Sequence, residues 1–343
     1  MTRVSRMLGA AARLAWARTI GAALPYSVTF ILTHRCNFRC TYCNAPAAAG
    51  TELTTAQVRR ALDELAASGL GRASFSGGEP LLRADAVGLV KHAHSLGLLT
   101  SLNSNGWLTG RDLDRLAPYL DMLVVSLDAA NSAHDEVRRQ PGSFERVLEV
   151  LTAARARGLA TATISVLGAW NLDQVEDILS LAARLGAWAY FQPAYIDCFD
   201  HLPGLDPAFA PGVLAQVAER LRVARAAGLP VGASGGYLER LARGPRFGSC
   251  EECHAGRYFA TVMPDGTMVP CHLASRQTPA PNGLESGFAH AFFALRRDKF
   301  GPGCAISPYQ ETDLLFRLDA RAISAAMRRL AGPPARAAVG GPR

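Results

Sequence analysis

The sequence predicts an α/β fold: a partial (β/α)6 barrel of the TIM type, followed by a small cysteine-rich α+β module. From residue 26 to about 230, apolar β-branched runs alternate with amphipathic segments at helical spacing. The connections are short, so each pair reads as a β-then-α unit, and such units in series build a parallel sheet with right-handed crossovers. Six units fit in this span, too few to close an eight-stranded barrel. Beyond a Gly- and Pro-containing linker, Cys250, Cys253, Cys271 and Cys304 mark a second module. The expected division is an N-terminal amphipathic helix (1–25), the barrel (26–230), the cysteine module (231–312) and a C-terminal helix with a disordered tail (313–343).

The 343 residues are 49% hydrophobic and 19% charged, a globular composition with a large core. A net charge of +7 suits an anionic substrate or a membrane surface. No basic segment interleaved with aromatics is present, so no nucleic-acid partner is expected. The eight cysteines are grouped, and no secretory segment accompanies them. That pattern argues for metal ligation in a reducing, cytoplasmic setting over a disulfide framework.

In chain order, residues 3–23 place Val4, Met7, Leu8, Ala11, Leu14, Ala15 and Ile20 at near-helical spacing, with Arg3, Arg6, Arg13 and Arg18 between them. Arginine interrupts every apolar run, so no membrane-spanning stretch is expected here. The helix is expected to pack on the outside of the barrel; the alternative is peripheral contact with a membrane surface. The strands are expected at 27–33, 72–76, 98–103, 122–127, 160–166 and 187–192, with helices near 54–68, 83–96, 110–119, 143–157, 171–185 and 211–227.

Directly after the first strand come Cys36, Cys40 and Cys43, separated by three and then two residues. Thiolates suit iron–sulfur clusters, zinc or copper(I). Three cysteines on a four-iron cube leave one iron open to a small molecule. This spacing, with Tyr42 before the third cysteine, resembles the signature of the radical S-adenosylmethionine superfamily. The resemblance implies a [4Fe-4S] cluster on Cys36, Cys40 and Cys43 that binds S-adenosylmethionine. It also implies reductive cleavage to a 5′-deoxyadenosyl radical, and an electron donor such as flavodoxin or ferredoxin.

In barrels of this type chemistry collects where strands end. The second strand ends in Gly77-Gly78-Glu79-Pro80, which resembles the family motif for the methionine amino group of the cofactor. Glycines let backbone approach a ligand, and a glutamate can accept from an ammonium. Asn103, Ser126 and Asp128 resemble family positions on the ribose and the methionine end, although turn and cap chemistry favours the same residue types. Arg138 resembles an arginine that pairs with the cofactor carboxylate, and a solvated surface position is the alternative. Val166 or Leu167 suits the adenine, and Gln192 the adenine or a substrate. Cys198, on the same rim, reads either as a small buried hydrophobe or as a thiol that donates hydrogen to a substrate radical.

In the C-terminal module, Asp265-Gly266 predicts a hairpin that returns Cys271 towards Cys253. It resembles the SPASM and twitch auxiliary-cluster modules. That implies a second [4Fe-4S] cluster on Cys250, Cys253, Cys271 and Cys304. A zinc site, with His254 or His272 as alternative ligands, is the rival. A terminal helix is expected over 311–330.

The motifs speak to the cofactor and little to the substrate. Only 35 residues precede Cys36, which leaves no room for a peptide-recognition domain on that side. A small or lipid-like metabolite is therefore the expected substrate, changed by dehydrogenation, epimerisation or carbon-skeleton modification. The alternatives are a ribosomally made peptide brought by a separate recognition partner, and a non-catalytic zinc-binding interaction protein.

Overall fold

A computed structural model of the chain describes residues 3–48, 50–194, 209–210, 212–244, 253–271, 280–295, 306–330 and 332. Helix α1 (Arg3–Thr19) leads to strand β1 (Ser27–Ile31). Then follow α2 (Thr55–Ala67), β2 (Arg72–Ser76), α3 (Ala86–Ser95), β3 (Leu99–Ser104), α4 (Thr109–Leu116) and β4 (Met122–Ser126). Next come α5 (Ala133–Arg138), α6 (Ser143–Ala156), β5 (Thr161–Leu167), α7 (Val175–Leu185) and β6 (Trp188–Pro193). These bounds lie close to those expected from periodicity. Local chemistry explains some of them: α2 starts where the Thr54 hydroxyl accepts from Gln57 N and the Gln57 side chain accepts from Thr54 N.

Strands β1 to β6 lie side by side in chain order, all parallel. Each alternates in the same sense. Val28, Phe30, Ala73, Phe75, Leu102, Leu123, Val125, Ala189 and Phe191 face outward into one apolar core under the helices. Thr29, Ser74, Ser76, Asn103, Ser126 and Gln192 face the lumen. Branched apolar side chains fill a closed barrel of this type. Here small polar ones leave a cavity at the C-terminal ends of the strands.

After β6 come α8 (Val213–Ala226), α9 (Gly235–Ala242), β7 (Phe259–Val262), β8 (Met268–Val269), α10 (Gly283–Ser286), α11 (Phe288–Phe293), α12 (Ser307–Phe316) and α13 (Ala320–Leu330). The hairpin at Asp265-Gly266 forms as expected, with Gly266 at φ +88° and Thr267 N donating to Asp265 Oδ1 at 2.9 Å. It does not stand apart from the barrel. β7 pairs in parallel with the free edge of β1, and β8 pairs antiparallel with β7. The segment read as a linker is also tied in. Ala189 N donates to Pro230 O and Gly232 N donates to Ala189 O, both at 2.8 Å, which continues the sheet past β6. The terminal helix divides in two at Leu318, whose φ is +59°, and Asp319 caps α13 by accepting from Arg321 N and Ala322 N. The tail beyond residue 332 lies outside the described residues.

Helix α1 packs against the barrel, but not through its apolar face. Arg6, Ala10 and Ala17 are buried, whereas Val4, Leu8, Trp16 and Ile20 are 53–67% exposed. The reason is Asp121, just before β4. Arg6 Nη1 and Nη2 each lie 2.7 Å from its carboxylate oxygens, and Nη1 also donates to Leu98 O at 2.6 Å. Ala10 sits over Gly71. The helix therefore crosses the N-terminal ends of β2, β3 and β4, the floor opposite the cavity.

Arg6→Ala takes its buried partner from the half-buried Asp121 carboxylate, which keeps Thr100 N at 2.9 Å, so it should destabilise the fold by about 1–3 kcal/mol in urea unfolding. Replacing Arg6 and Asp121 together by apolar residues should recover most of that loss. A cost under about 1 kcal/mol for Arg6→Ala would show that the pair does not anchor the helix.

Candidate active site at the C-terminal rim

The loop of residues 33–43 leaves β1 and runs against the continuation of β2. Gly78 N donates to Thr33 O and Glu79 N to Arg35 O, both at 2.8 Å. A Cβ on Gly77 would lie 2.3 Å from Thr33 O, and one on Gly78 2.2 Å from Arg35 O. Gly77 also holds φ +145°. The two glycines are thus required by backbone packing against the cysteine loop, and the same lack of side chains exposes their backbone to the cavity.

Cys36, Cys40, Tyr42 and Cys43 line that cavity together with Gly77, Gly78, Asn103, Ser126, Arg138, Val166 and Gln192. Cys36 Sγ accepts from Phe38 N at 3.4 Å and from Asn105 Nδ2 at 3.9 Å. Cys40 Sγ accepts from Arg138 Nη1 at 3.7 Å. Burial pushes both thiols up; the Phe38 amide opposes it at Cys36, and the Arg138 guanidinium opposes it at Cys40. Phe38, Tyr42, Val137, Val166, Ala194, Trp107 and Trp170 form an apolar shell around the cysteines. Tyr42 stacks on Trp170 with centroids 5.6 Å apart.

Glu79, Pro80 and Asp128 are not among the residues that line this cavity. Glu79 is fully buried, and its carboxylate accepts from Leu81 N, Ser104 Oγ and Asn105 N at 2.8–3.1 Å. It ties the end of β2 to the end of β3. Burial raises it to about 7 against those hydrogen bonds. Pro80 begins the one-turn helix that follows and is buried. Asp128, expected on the ribose, is fully buried. Its oxygens accept from Val166 N at 2.9 Å and Tyr42 OH at 3.0 Å, and Oδ2 lies 2.7 Å from Arg138 Nε as an ion pair. Arg138 is accordingly buried, which removes the solvated alternative.

Asn103, Ser126, Gln192 and Val166 line the cavity wall. Gln192 Oε1 is buried and meets no hydrogen-bond donor among the described residues. Other wall residues were not singled out from the sequence. Thr29, Ser74 and Ser76 were legible as the polar phase of the strand alternation. Ile306, Pro308 and Tyr309 arrive from the start of α12, and no local signal marks them.

Cys198, Cys250, Cys304 and His272 lie outside the described residues. Cys253 and Cys271 share one apolar group with Tyr258, Phe259, Ile306, Tyr309 and Phe316. The hairpin thus brings these two cysteines to one place, against the segment that also walls the cavity. His254 donates its backbone N–H to Asp313 at 3.1 Å and holds Nδ1 2.8 Å from the same carboxylate. Burial works against the Asp313 charge, yet His254, Arg317 and Arg240 hold it down to about 2.

The donor set fits a cluster. A single zinc gathers its thiolates about 3.8 Å apart, whereas a cube spreads them over its corners. Cys36, Cys40 and Cys43 face one cavity beside an apolar group, Cys40 buried and Cys36 and Cys43 partly exposed.

A parallel α/β barrel with three cysteines on its C-terminal rim is the architecture of an S-adenosylmethionine-dependent radical enzyme. Residues 30–182 match the family described as the Radical SAM superfamily. The PqqA peptide cyclase of Ruegeria pomeroyi is 32% identical over 278 residues, covering 73% of this chain and 68% of the relative. The chain belongs to the radical S-adenosylmethionine superfamily, and it is an enzyme whose cofactors are a [4Fe-4S] cluster and S-adenosylmethionine. The PqqA peptide cyclase of Xanthomonas euvesicatoria is 38% identical over 166 residues, covering 46% of this chain and 44% of the relative. The structure of Streptococcus suis SuiB bound to the precursor peptide SuiA shares the fold. Its TM-score is 0.66 at 17% identity, over 81% of this chain and 67% of that one.

These findings correct two expectations. The small or lipid-like metabolite does not stand as substrate or partner, because these relatives are peptide cyclases. The argument from the 35 residues before Cys36 counted only recognition domains on the same chain, and a second protein can do that work. The non-catalytic zinc reading falls with membership of an enzyme family.

For Glu79, the folded value near 7 lies above the ordinary 4.5. Its contribution to stability is therefore full below pH 4.5 and lost as pH rises through about 7. Between pH 5 and 8 the cofactor-free protein should lose on the order of 3 kcal/mol more than Glu79→Gln in urea unfolding. Parallel curves for the two would sink this assignment.

Proposed function

We propose that this enzyme modifies a ribosomally made peptide by a radical ring closure, with the peptide presented by a separate recognition protein. The observation that carries the reading is the 32% identity to a PqqA peptide cyclase across 73% of the chain. In this reading Cys36, Cys40 and Cys43 hold the cluster, and Gly77, Gly78, Asn103, Ser126, Val166 and Gln192 receive the cofactor. S-adenosylmethionine bound there supplies a 5′-deoxyadenosyl radical that removes a hydrogen atom from the substrate. Tyr42 and its stack on Trp170 keep water from the reacting carbon. Glu79, Pro80 and Asp128 hold the wall from behind. Ile306, Pro308 and Tyr309 form the side of the cavity nearest Cys253 and Cys271, where a peptide chain would meet it. Cys250, Cys253, Cys271 and Cys304 would hold a second cluster, which would supply an acceptor for the second electron of the oxidation, the matching proton leaving to solvent.

The test is anaerobic reconstitution, then incubation with reductant, S-adenosylmethionine and short peptides encoded beside the gene, with and without the small proteins encoded there. The expected product is a peptide lighter by two hydrogens, formed together with 5′-deoxyadenosine. Alanine at Cys36, Cys40 or Cys43 should abolish both. Peptides left unchanged while a metabolite is consumed would refute the reading.

We further infer a cytoplasmic enzyme whose first helix rests on anionic lipid. Among the described residues, no helix is long and apolar enough to cross a membrane. Val4, Leu8, Trp16 and Ile20 form an exposed stripe beside Arg13 and Arg18, a pattern suited to lying in an interface. Co-sedimentation with phosphatidylglycerol vesicles should fall at least fivefold on Leu8→Asp with Trp16→Asp. Equal pelleting of the variant and the parent would end this inference.

A further inference from the structure

We propose that Arg138 sets the reduction potential of the cluster carried by Cys36, Cys40 and Cys43. The proposal rests on the ligand assignment above and adds a role for a residue expected on the cofactor carboxylate.

The guanidinium points at a ligand sulfur. Nη1 lies 3.7 Å from Cys40 Sγ, and the group sits over the Tyr42 ring, 5.5 Å from its centroid. Both partners are dry: Cys40 is 8% exposed and Arg138 6%. Its orientation is not free. Nε is paired with Asp128 Oδ2 at 2.7 Å, and the same oxygen accepts from Tyr42 OH at 3.0 Å. Asp128 is itself held through Val166 N on Oδ1, through Asn171 Nδ2 on its carbonyl, and through its own N–H donated to His134 Nδ1. Residues from β5, α5 and the loops after β4 and β5 thus fix one cation on one sulfur.

Reduction adds one electron to the cluster and no proton. The added negative charge spreads onto the thiolate sulfurs. An N–H donor and a positive charge against a sulfur stabilise that state, and hydrogen bonds to sulfur and local charge are among the terms that set such potentials. Arginine remains protonated throughout, so its charge is constant across the redox step. Little water reaches the pair to screen it. Asp128 works in the opposite sense, but it stands behind the guanidinium and not on the sulfur. Arg138 therefore raises the potential, easing delivery of the electron that cofactor cleavage consumes.

The test uses the full chain, reconstituted with iron and sulfide. Electron paramagnetic resonance follows the reduced signal during a redox titration without S-adenosylmethionine. The relevant signal is the component whose shape changes when the cofactor is later added. Arg138→Gln should lower its midpoint by about 59 mV or more, a tenfold loss in the equilibrium constant for reduction. Arg138→Lys, which keeps the charge without the planar fork, should fall between Gln and the parent. An unchanged midpoint in either variant would overturn the proposal. So would weaker cofactor binding at an unchanged midpoint, which would return Arg138 to the carboxylate. Should Arg138→Gln take up no iron, the midpoint of Arg138→Lys decides alone. A parent protein with no cofactor-responsive signal would instead refute the ligand assignment.

Discussion

The rim of the barrel depends on two polypeptide segments lying closer together than side chains allow. Where β1 and β2 end, their continuations remain hydrogen-bonded through Gly78 N to Thr33 O and Glu79 N to Arg35 O. Any Cβ at Gly77 or Gly78 would fall within 2.3 Å of a carbonyl oxygen. Once that contact is made, the direction in which the cysteine loop leaves β1 is set. Cys36 is then carried to Asn105, beyond β3, and Cys40 to Arg138, at the end of α5. A loop anchored only by its sequence neighbours would not hold three sulfurs against a common space.

The second constraint is electrostatic. Asp128 and Arg138 are both buried, and removing either would leave an uncompensated charge in a low-dielectric interior. The pair persists because every oxygen of Asp128 is occupied, by Val166 N, Tyr42 OH and Arg138 Nε. That network spans the gap between the fourth and fifth strands and the cysteine loop. Rigidity at the sulfurs is therefore a property of the whole rim. Glu79 does comparable work between β2 and β3, again from behind the wall.

The C-terminal module extends the sheet at its β1 edge. β7 satisfies the outer edge of β1, which would otherwise be an open row of donors and acceptors. Through this pairing Cys253 and Cys271 come near Tyr309, which also walls the main cavity and bonds Thr261 of β7 through their hydroxyls at 2.9 Å. One short segment at the start of α12 thus lines the main cavity and packs with Cys253 and Cys271.

Strand and helix positions were legible because they follow from local pattern: 27–31 and 122–126 are short apolar, β-branched runs set between amphipathic segments at helical spacing. The three cysteines of the loop were legible for a similar reason, since their spacing is itself the chemistry. Which side of the wall a residue occupies was not. Glu79 and Asp128 are acidic residues at strand ends, a pattern equally suited to gripping a ligand or bracing a loop, and the partners that β3, β5 and α5 bring to them are visible only in the tertiary structure. The same holds for α1, where composition points to an apolar contact but the part-buried carboxylate of Asp121 turns Arg6 inward. Long-range arrangements, such as Tyr309 lining one cavity with the first cysteines, leave no trace in local pattern. They come into being only when the sheet folds and β7 finds the edge of β1.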